Sequence, residues 1–329
     1  MARILPLFVP HAGCPCQCVF CNQRAIAREK PLTGPQAAAL LQEGLDKFGG
    51  QTAQAAFYGG SFTAIPWENQ KELLSVVQSF LQTGAIESIR ISTRPDAINE
   101  EILERLWSYG VRTIELGAQS MSDRVLALAK RGHTAAHTAG AAGQIRLKGF
   151  QLILQLMAGL PGDDRAGFVQ SVKKVVALQP NGVRLYPVAV LPETELAEQY
   201  AAGNYTPLTP EQAADWCADA LEQLIPAGIP VIRLGLNPTE ELGRQVIAGA
   251  YHPALGELCY GEWFYRQMCK LLREREEISD SVTFAVHPSD ISKAVGQNRR
   301  NIRRLQEVFS LKQVKIRPGK LERNQIEIV

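Results

Sequence analysis

Short runs of branched and apolar residues alternate with amphipathic helical patterns along most of this chain, and that alternation leaves few folds open. The strand candidates are 4–10, 55–58, 88–93, 113–117, 151–157 and 182–190. Between them lie helical stretches such as 34–48, 68–81, 99–108, 122–130 and 165–177. Near-continuous apolar strands separated by helices pair in parallel through right-handed crossovers. Six such units predict an α/β fold, a partial (βα)6 TIM-like barrel with its functional groups at the carboxyl ends of the strands. A further strand at 230–236 follows the helix 210–224, and either extends the sheet or begins a linker.

The pattern changes after about Tyr251. Residues 262–275 read as a helix and 276–281 as a charged linker. A compact succession follows: strand 282–286, helix 289–295, turn 296–299, helix 300–309, and strands 313–317 and 325–329. The expected division is a partial barrel over 1–250, a helical linker over 251–281 and a small α+β module over 282–329. That module is too small for a catalytic domain and the right size for an appended unit. A chain of 329 residues can bury a core for both. The opening MARILPLFVPHAG is apolar but short, holds two prolines and lacks a cleavage-site pattern. A buried first strand is expected there rather than a signal peptide. No run reaches the length that spans a bilayer, so no membrane partner is expected.

Within the first 21 residues, Cys14, Cys18 and Cys21 form a C-x3-C-x2-C triplet, with Phe20 just before the last cysteine. Three thiolates on one tight loop can ligate three corners of a [4Fe-4S] cube and leave the fourth iron open. The next cysteine is Cys217, so no fourth thiolate completes the set nearby. An open iron is what reductive cleavage of S-adenosylmethionine needs, because the amino and carboxylate groups of that cofactor chelate it. Zinc stays open as an alternative, since a structural zinc takes four ligands and His11 or Cys16 can supply the fourth. A disulfide framework fits poorly: the seven cysteines are an odd number, and four of them crowd into eight residues. Cys16 reads as a bystander, and Cys217, Cys259 and Cys269 read as buried thiols on helical patterns. Free thiols and an oxygen-labile cluster point to a reducing, cytoplasmic setting.

The strand ends gather polar residues and glycines. The second strand ends in Phe57-Tyr58-Gly59-Gly60-Ser61-Phe62-Thr63 and the third in Ser92-Thr93-Arg94-Pro95-Asp96. The fourth ends in Glu115-Leu116-Gly117-Ala118-Gln119-Ser120, followed by Lys130-Arg131-Gly132-His133-Thr134. The fifth runs through Gln155 into Met157-Ala158-Gly159-Leu160-Pro161-Gly162. Paired glycines let a backbone approach a ligand closely, although a double glycine after a strand is most often only a turn. Such endings on consecutive strands, behind a triple-cysteine loop, make a coherent site. Tyr58 and Tyr186 are candidates for its walls. His133 and His137 read as a turn residue and a surface residue rather than a metal pair.

With these residues in view, the chain resembles the radical S-adenosylmethionine enzymes. Within them it is most similar to the catalytic subunit of Elongator, the tRNA wobble-uridine modifying enzyme, and its bacterial relatives. The resemblance is carried by the triplet, YGGSFT at 58–63, STRPD at 92–96, ELGAQS at 115–120, KRGHT at 130–134, GLPG at 159–162 and LYPVAVLPETELAEQYAAGNYTPLT at 185–209. It implies that Cys14, Cys18 and Cys21 hold the cluster and that Gly59, Gly60 and Ser61 contact the methionine amino group. It implies that Arg131 pairs with the cofactor carboxylate, which a planar guanidinium suits. Gln119, Gln155 and Ser92 would face the ribose or the methionyl part. It also implies an external electron donor such as a flavodoxin or ferredoxin, and a 5′-deoxyadenosyl radical that abstracts hydrogen from a substrate. The Elongator subunit carries an acetyltransferase domain that is not expected here, so its acetyl-CoA chemistry is not carried over.

The net charge of +2 hides an asymmetry: ten basic residues between Lys293 and Arg323 face only Glu307 and Glu322. In the same segment one helix runs through Gly296 into a second, basic helix. This resembles the KH module, whose G-x-x-G turn clamps backbone phosphates. Here the second glycine position is Arg299, a departure from the pattern. The resemblance implies RNA contacts from Gly296, Arg299, Arg300, Arg303 and Arg304, with Lys312, Lys315, Arg317 and Lys320 extending the positive surface. The reading that follows is a radical enzyme acting on RNA, either tRNA or ribosomal RNA. Two others stay open: radical oxidation of a small molecule such as a tetrapyrrole, and an RNA-binding protein with an inactive barrel.

Overall fold

The computed structural model describes residues 3–9, 14, 17–22, 32–49, 51–277 and 279–329. Pro10, His11 and Cys16 lie outside the described residues. Seven strands form one wholly parallel sheet in the order β1 (Arg3–Phe8), β2 (Ala53–Tyr58), β3 (Ile86–Thr93), β4 (Val111–Gln119), β5 (Gln151–Leu156), β6 (Gly182–Leu185) and β8 (Val231–Leu234). The short β7 (Ala189–Val190) and β9 (Ala248–Gly249) pair with each other. The segment at 230–236 therefore extends the sheet rather than beginning a linker. β2 and β6 stand four places apart, which in a flat sheet is about 19 Å at the usual strand spacing. Yet Arg184 on β6 donates to the Tyr58 hydroxyl at the end of β2 across 3.0 Å. Only a curled sheet brings them together, so the sheet is a half-barrel with free edges at β1 and β8.

Helices α1 (Gly34–Lys47), α2 (Trp67–Gln82), α3 (Glu100–Ser108), α4 (Asp123–Leu128), α5 (Ala135–Leu147), α6 (Arg165–Ala177), α7 (Glu195–Ala201), α8 (Pro210–Leu224) and α9 (Glu240–Gln245) connect the strands. Leu41, Leu74, Leu103, Ile145 and Phe168 from five of these helices pack on Ile89, Ile91, Ile114, Leu116, Leu152 and Leu154 of the sheet. Each such side chain stabilises the fold by roughly 1.5–3 kcal/mol on burial. Side-chain caps start the helices where the sequence places them: Asn99 accepts from Ile102 N and Asp164 from Gly167 N. The helix α5 is not foreseen as an element, because its buried face is made of Thr138, Ala141, Ala142 and Ile145 rather than large apolar residues.

Beyond the sheet come α10 (Leu255–Arg273), β10 (Ser281–Val286), α11 (Ile291–Val295), α12 (Arg300–Val308), β11 (Gln313–Pro318) and β12 (Ile326–Ile328). β10 is central, parallel to β11 and antiparallel to β12. The segment expected as a helical linker is largely α10, which begins seven residues earlier than the sequence pattern suggests, across Gly256 and Gly261. Its Trp263, Phe264, Met268 and Leu272 share a core with Val282, Phe284, Ile302 and Leu305 of the module and with Ala218 and Leu221 of α8. Arg266 adds ion pairs to Asp215 and Asp219 of α8. The module is thus packed against the barrel through α10 rather than tethered to it. Among the described residues no helix is long and apolar enough to cross a membrane.

Candidate active site

The cysteine loop is anchored from several sides. Val19 is 1% exposed and sits in a small apolar cluster with Val125, Ala129, Leu160 and Leu196. Its N–H donates to Ala129 O, and its carbonyl accepts from Leu196 N at 2.8 Å. Asn22 donates to Pro192 O at 2.8 Å, and Cys21 N to Cys18 O at 3.0 Å. These bonds tie the loop to α4 and to the start of α7. Cys14, Cys18 and Cys21 line one cavity of about 360 Å³, together with the ends of β2 to β6.

All three thiols border this cavity. Among the described residues no three His, Cys, Asp or Glu side chains are close enough to hold a single metal ion. Burial, and then the neighbouring Cys18, raise the Cys14 thiol above its ordinary pKa, while the Ser61 N–H and the cations Arg94 and Arg131 pull the other way.

Arg131 is the clearest sign of a missing anion. It is 7% exposed, and donates through Nη1 to Cys18 Sγ at 3.2 Å and through Nη2 to Gly117 O at 2.8 Å. Its Nε has no partner, and among the described residues no carboxylate pairs with it. A buried cation without a counter-ion is costly, so this arginine fits a bound carboxylate or an anionic cluster. Arg94 buttresses it, donating to Arg131 O at 2.8 Å while gripping Asp96 with two bonds.

Of the site glycines, Gly59 is sterically required. Gly59 has φ +105°, and a Cβ there meets the Phe8 ring and Val9 O at 2.8 Å. A Cβ at Gly117 meets Gln119 Nε2 at 2.8 Å. Ser61 is buried and turned toward β3, its hydroxyl bonded to Thr93 Oγ1 at 2.9 Å and accepting from Arg94 N. Ser92, Gly60 and Gln155 also border the cavity. Gln119 adopts φ +64° at a bulge closing β4, with Oε1 buried and unpartnered. A non-glycine residue in that region is a local strain typical of functional sites.

A polar floor under these groups escapes notice in the sequence. Glu115 is completely buried and accepts from Arg90 Nη1 at 2.9 Å, Arg184 Nη2 at 2.9 Å, the Tyr58 hydroxyl at 3.0 Å and Gln155 Nε2 at 3.0 Å. Burial, followed by Glu115, pushes the Tyr58 hydroxyl well above its ordinary pKa. A charge set among apolar neighbours in each of three strands, Arg90, Glu115 and Arg184, is the available signal, since parallel strands have little solvent face to put it on. Tyr58 and Tyr186 do border the cavity. His133 is buried against Ala118 O, and His137 caps α5 by accepting from Thr134 N, so the two form no pair.

In the module, Gly296 has φ +73°, and Asn298 and Arg299 are also left-handed. Arg299, Arg300 and Arg303 are exposed, with Arg303 donating to Asn298 O. Arg304 is held apart from them, bonded to Glu262 and stacked over the Tyr265 ring with 3.5 Å to its centroid.

Comparison with known proteins bears on the barrel and the cysteine-lined cavity. The family model described as the radical SAM superfamily matches residues 8–175, and that of the radical SAM C-terminal domain matches 180–263. A tRNA uridine(34) acetyltransferase of Methanocaldococcus jannaschii is 29% identical over 56% of this chain and 34% of that protein. Elongator complex protein 3 of Danio rerio is 26% identical over 71% of this chain and 46% of that protein. Among solved structures, archaeal Elp3 of Methanocaldococcus infernus superposes with a TM-score of 0.64 at 22% identity, covering 81% of this chain and 63% of that one. The chain spans between a third and two thirds of the length of these proteins.

Proposed function

This chain belongs to the radical SAM superfamily, and from that premise we propose that it modifies RNA, with the C-terminal module docking the strand. The family's cofactors are a [4Fe-4S] cluster and S-adenosylmethionine. When bound, the reduced cluster supplies the electron that breaks a sulfur–carbon bond of S-adenosylmethionine, and so a carbon radical able to take a hydrogen atom.

The residues then have separate tasks. Cys14, Cys18 and Cys21 would hold the cluster, and Arg131, buried and lacking a carboxylate partner among the described residues, would neutralise the methionine carboxylate. Gly59, Gly60 and Ser61 would present backbone to the methionine amine, and Ser92, Gln119 and Gln155, which line the same cavity, would face the ribose or the methionyl part. An external donor such as a flavodoxin or ferredoxin supplies the electron.

One observation carries the RNA part: Arg299, Arg300 and Arg303 stand exposed around a glycine turn, between two helices of a three-stranded module. That arrangement suits a phosphate backbone. Two of the relatives bear the names of a tRNA-uridine enzyme and an Elongator subunit, which favours tRNA as the class. Nucleosides from cells lacking this protein test the reading by mass spectrometry. A modified nucleoside should vanish, return with the wild-type protein and stay absent with Cys18→Ala. An unchanged profile in both tRNA and rRNA rejects it.

A further inference from the structure

The inner face of the half-barrel holds positive charge that the roles above do not use. Two guanidiniums, Arg90 and Arg184, meet the single carboxylate of Glu115, so the floor keeps one surplus cation. Arg184 borders the main cavity. On the next strand Arg233 is its register partner, and the following pair is Leu185 with Leu234. Both leucines pack into the outer core, so both arginines project to the inner face. Arg233 donates to Gly235 O at 3.2 Å and to Asn237 Oδ1 at 2.8 Å, both neutral. Among the described residues no carboxylate pairs with it.

β8 is the free edge of the sheet, and a second cavity of about 360 Å³ runs beside it. Its wall includes Arg233, His252, Tyr260 and Lys293, with Glu257 as its acid. Lys293, paired with Asp290, lies 4.5 Å above the Tyr260 ring and three residues before Gly296. Cations therefore lead from the glycine turn along the sheet edge to the floor of the cysteine-lined cavity.

We infer that this open edge is a phosphodiester-binding entrance, in which Arg233 and Arg184 seat the RNA phosphate next to the nucleotide whose base enters the cavity. The inference rests on the RNA reading. A guanidinium fork suits a tetrahedral oxyanion, and Arg233 gives up only neutral partners to take one. Continuity with the basic turn favours a polymer backbone over an isolated carboxylate.

The full-length chain, without cofactor, is titrated with a labelled five-nucleotide oligouridylate by fluorescence anisotropy, and separately with uridine 5′-monophosphate and uridine by ligand-detected NMR. The monophosphate should bind about tenfold or more tightly than uridine, the worth of one charge-assisted contact. Arg233→Gln should erase that preference and weaken the oligonucleotide by a similar factor, with an unchanged circular dichroism spectrum. Arg184→Lys, which keeps charge but loses the fork, should weaken the monophosphate in the same direction. Oligonucleotide binding that is insensitive to Arg233→Gln overturns this entrance and leaves the RNA reading standing. Binding of neither oligonucleotide nor monophosphate overturns both. Succinate competing as well as the monophosphate overturns the phosphate assignment in favour of a small carboxylate substrate.

Discussion

The Nη1 atom of Arg131 lies 3.2 Å from the sulfur of Cys18, and Nη2 donates to Gly117 O at 2.8 Å. One guanidinium thus joins the cysteine loop to the end of β4, and it does so without a carboxylate partner among the described residues. Arg131→Lys keeps the charge but loses the planar fork. S-adenosylmethionine affinity of the reconstituted protein should fall about 10- to 100-fold, the worth of a charged hydrogen bond. Iron and sulfide content should stay near wild type. Unchanged affinity by equilibrium dialysis refutes the role given to Arg131.

Gly59→Ala tests the turn after β2. Its φ of +105° is strained for alanine, and the new methyl meets Val9 O at 2.8 Å, a backbone atom that cannot swing aside. The loss should be about 2 kcal/mol or more, read from the urea midpoint at unchanged slope. A stability within error of wild type contradicts the geometry.

Glu115→Gln leaves the buried Arg90 and the half-buried Arg184 without their anion. Breaking a buried pair from one side costs about 3–5 kcal/mol. Chemical denaturation reads the effect directly, and a variant as stable as wild type means that the floor is wetter than its burial indicates.

The pH dependence of stability has a nameable source in His133. Burial, and then the nearby Arg131, hold its imidazole down to about 4. The unfolded chain titrates near 6.5 and binds a proton that the native state refuses. Stability is therefore unaffected above about pH 6.5 and falls as pH drops toward 4, by about 3 kcal/mol in total. His133→Gln should flatten that slope by about one proton between pH 6 and 4.5. Parallel curves for the two proteins reject the assignment.

Much of this architecture is legible in the sequence, and what is not has physical reasons. Strands such as 86–93 and 111–119 are apolar enough to announce a parallel sheet, and the cysteine spacing announces its cofactor. The floor is hidden because Arg90, Glu115 and Arg184 are 25 and 69 residues apart in sequence and become partners only when the sheet curls. The helix α5 is hidden by its alanines, and the first turns of α10 by Gly256 and Gly261. The module reaches this helix through Asn301, which donates to Gly261 O at 2.8 Å, a contact that no local pattern announces.

The arginines of the module separate into two kinds, and the distinction can be measured. Arg299 and Arg300 project into solvent without an acidic partner among the described residues. Arg304 is bound to Glu262 and stacked on Tyr265. A phosphate contact contributes through counter-ion release, so each one removed should lower the slope of log affinity against log salt by about 1. Arg300→Gln should weaken RNA in this way and leave thermal stability alone. Arg304→Gln should do the reverse, lowering stability by about 1–2 kcal/mol through the lost ion pair and ring contact while the salt slope stays put. Salt titrations of oligonucleotide binding, set beside melting curves, decide between them. If Arg304→Gln reduces the salt slope as much as Arg300→Gln does, the ion pair with Glu262 opens to the ligand, and the RNA surface reaches from the glycine turn onto α10.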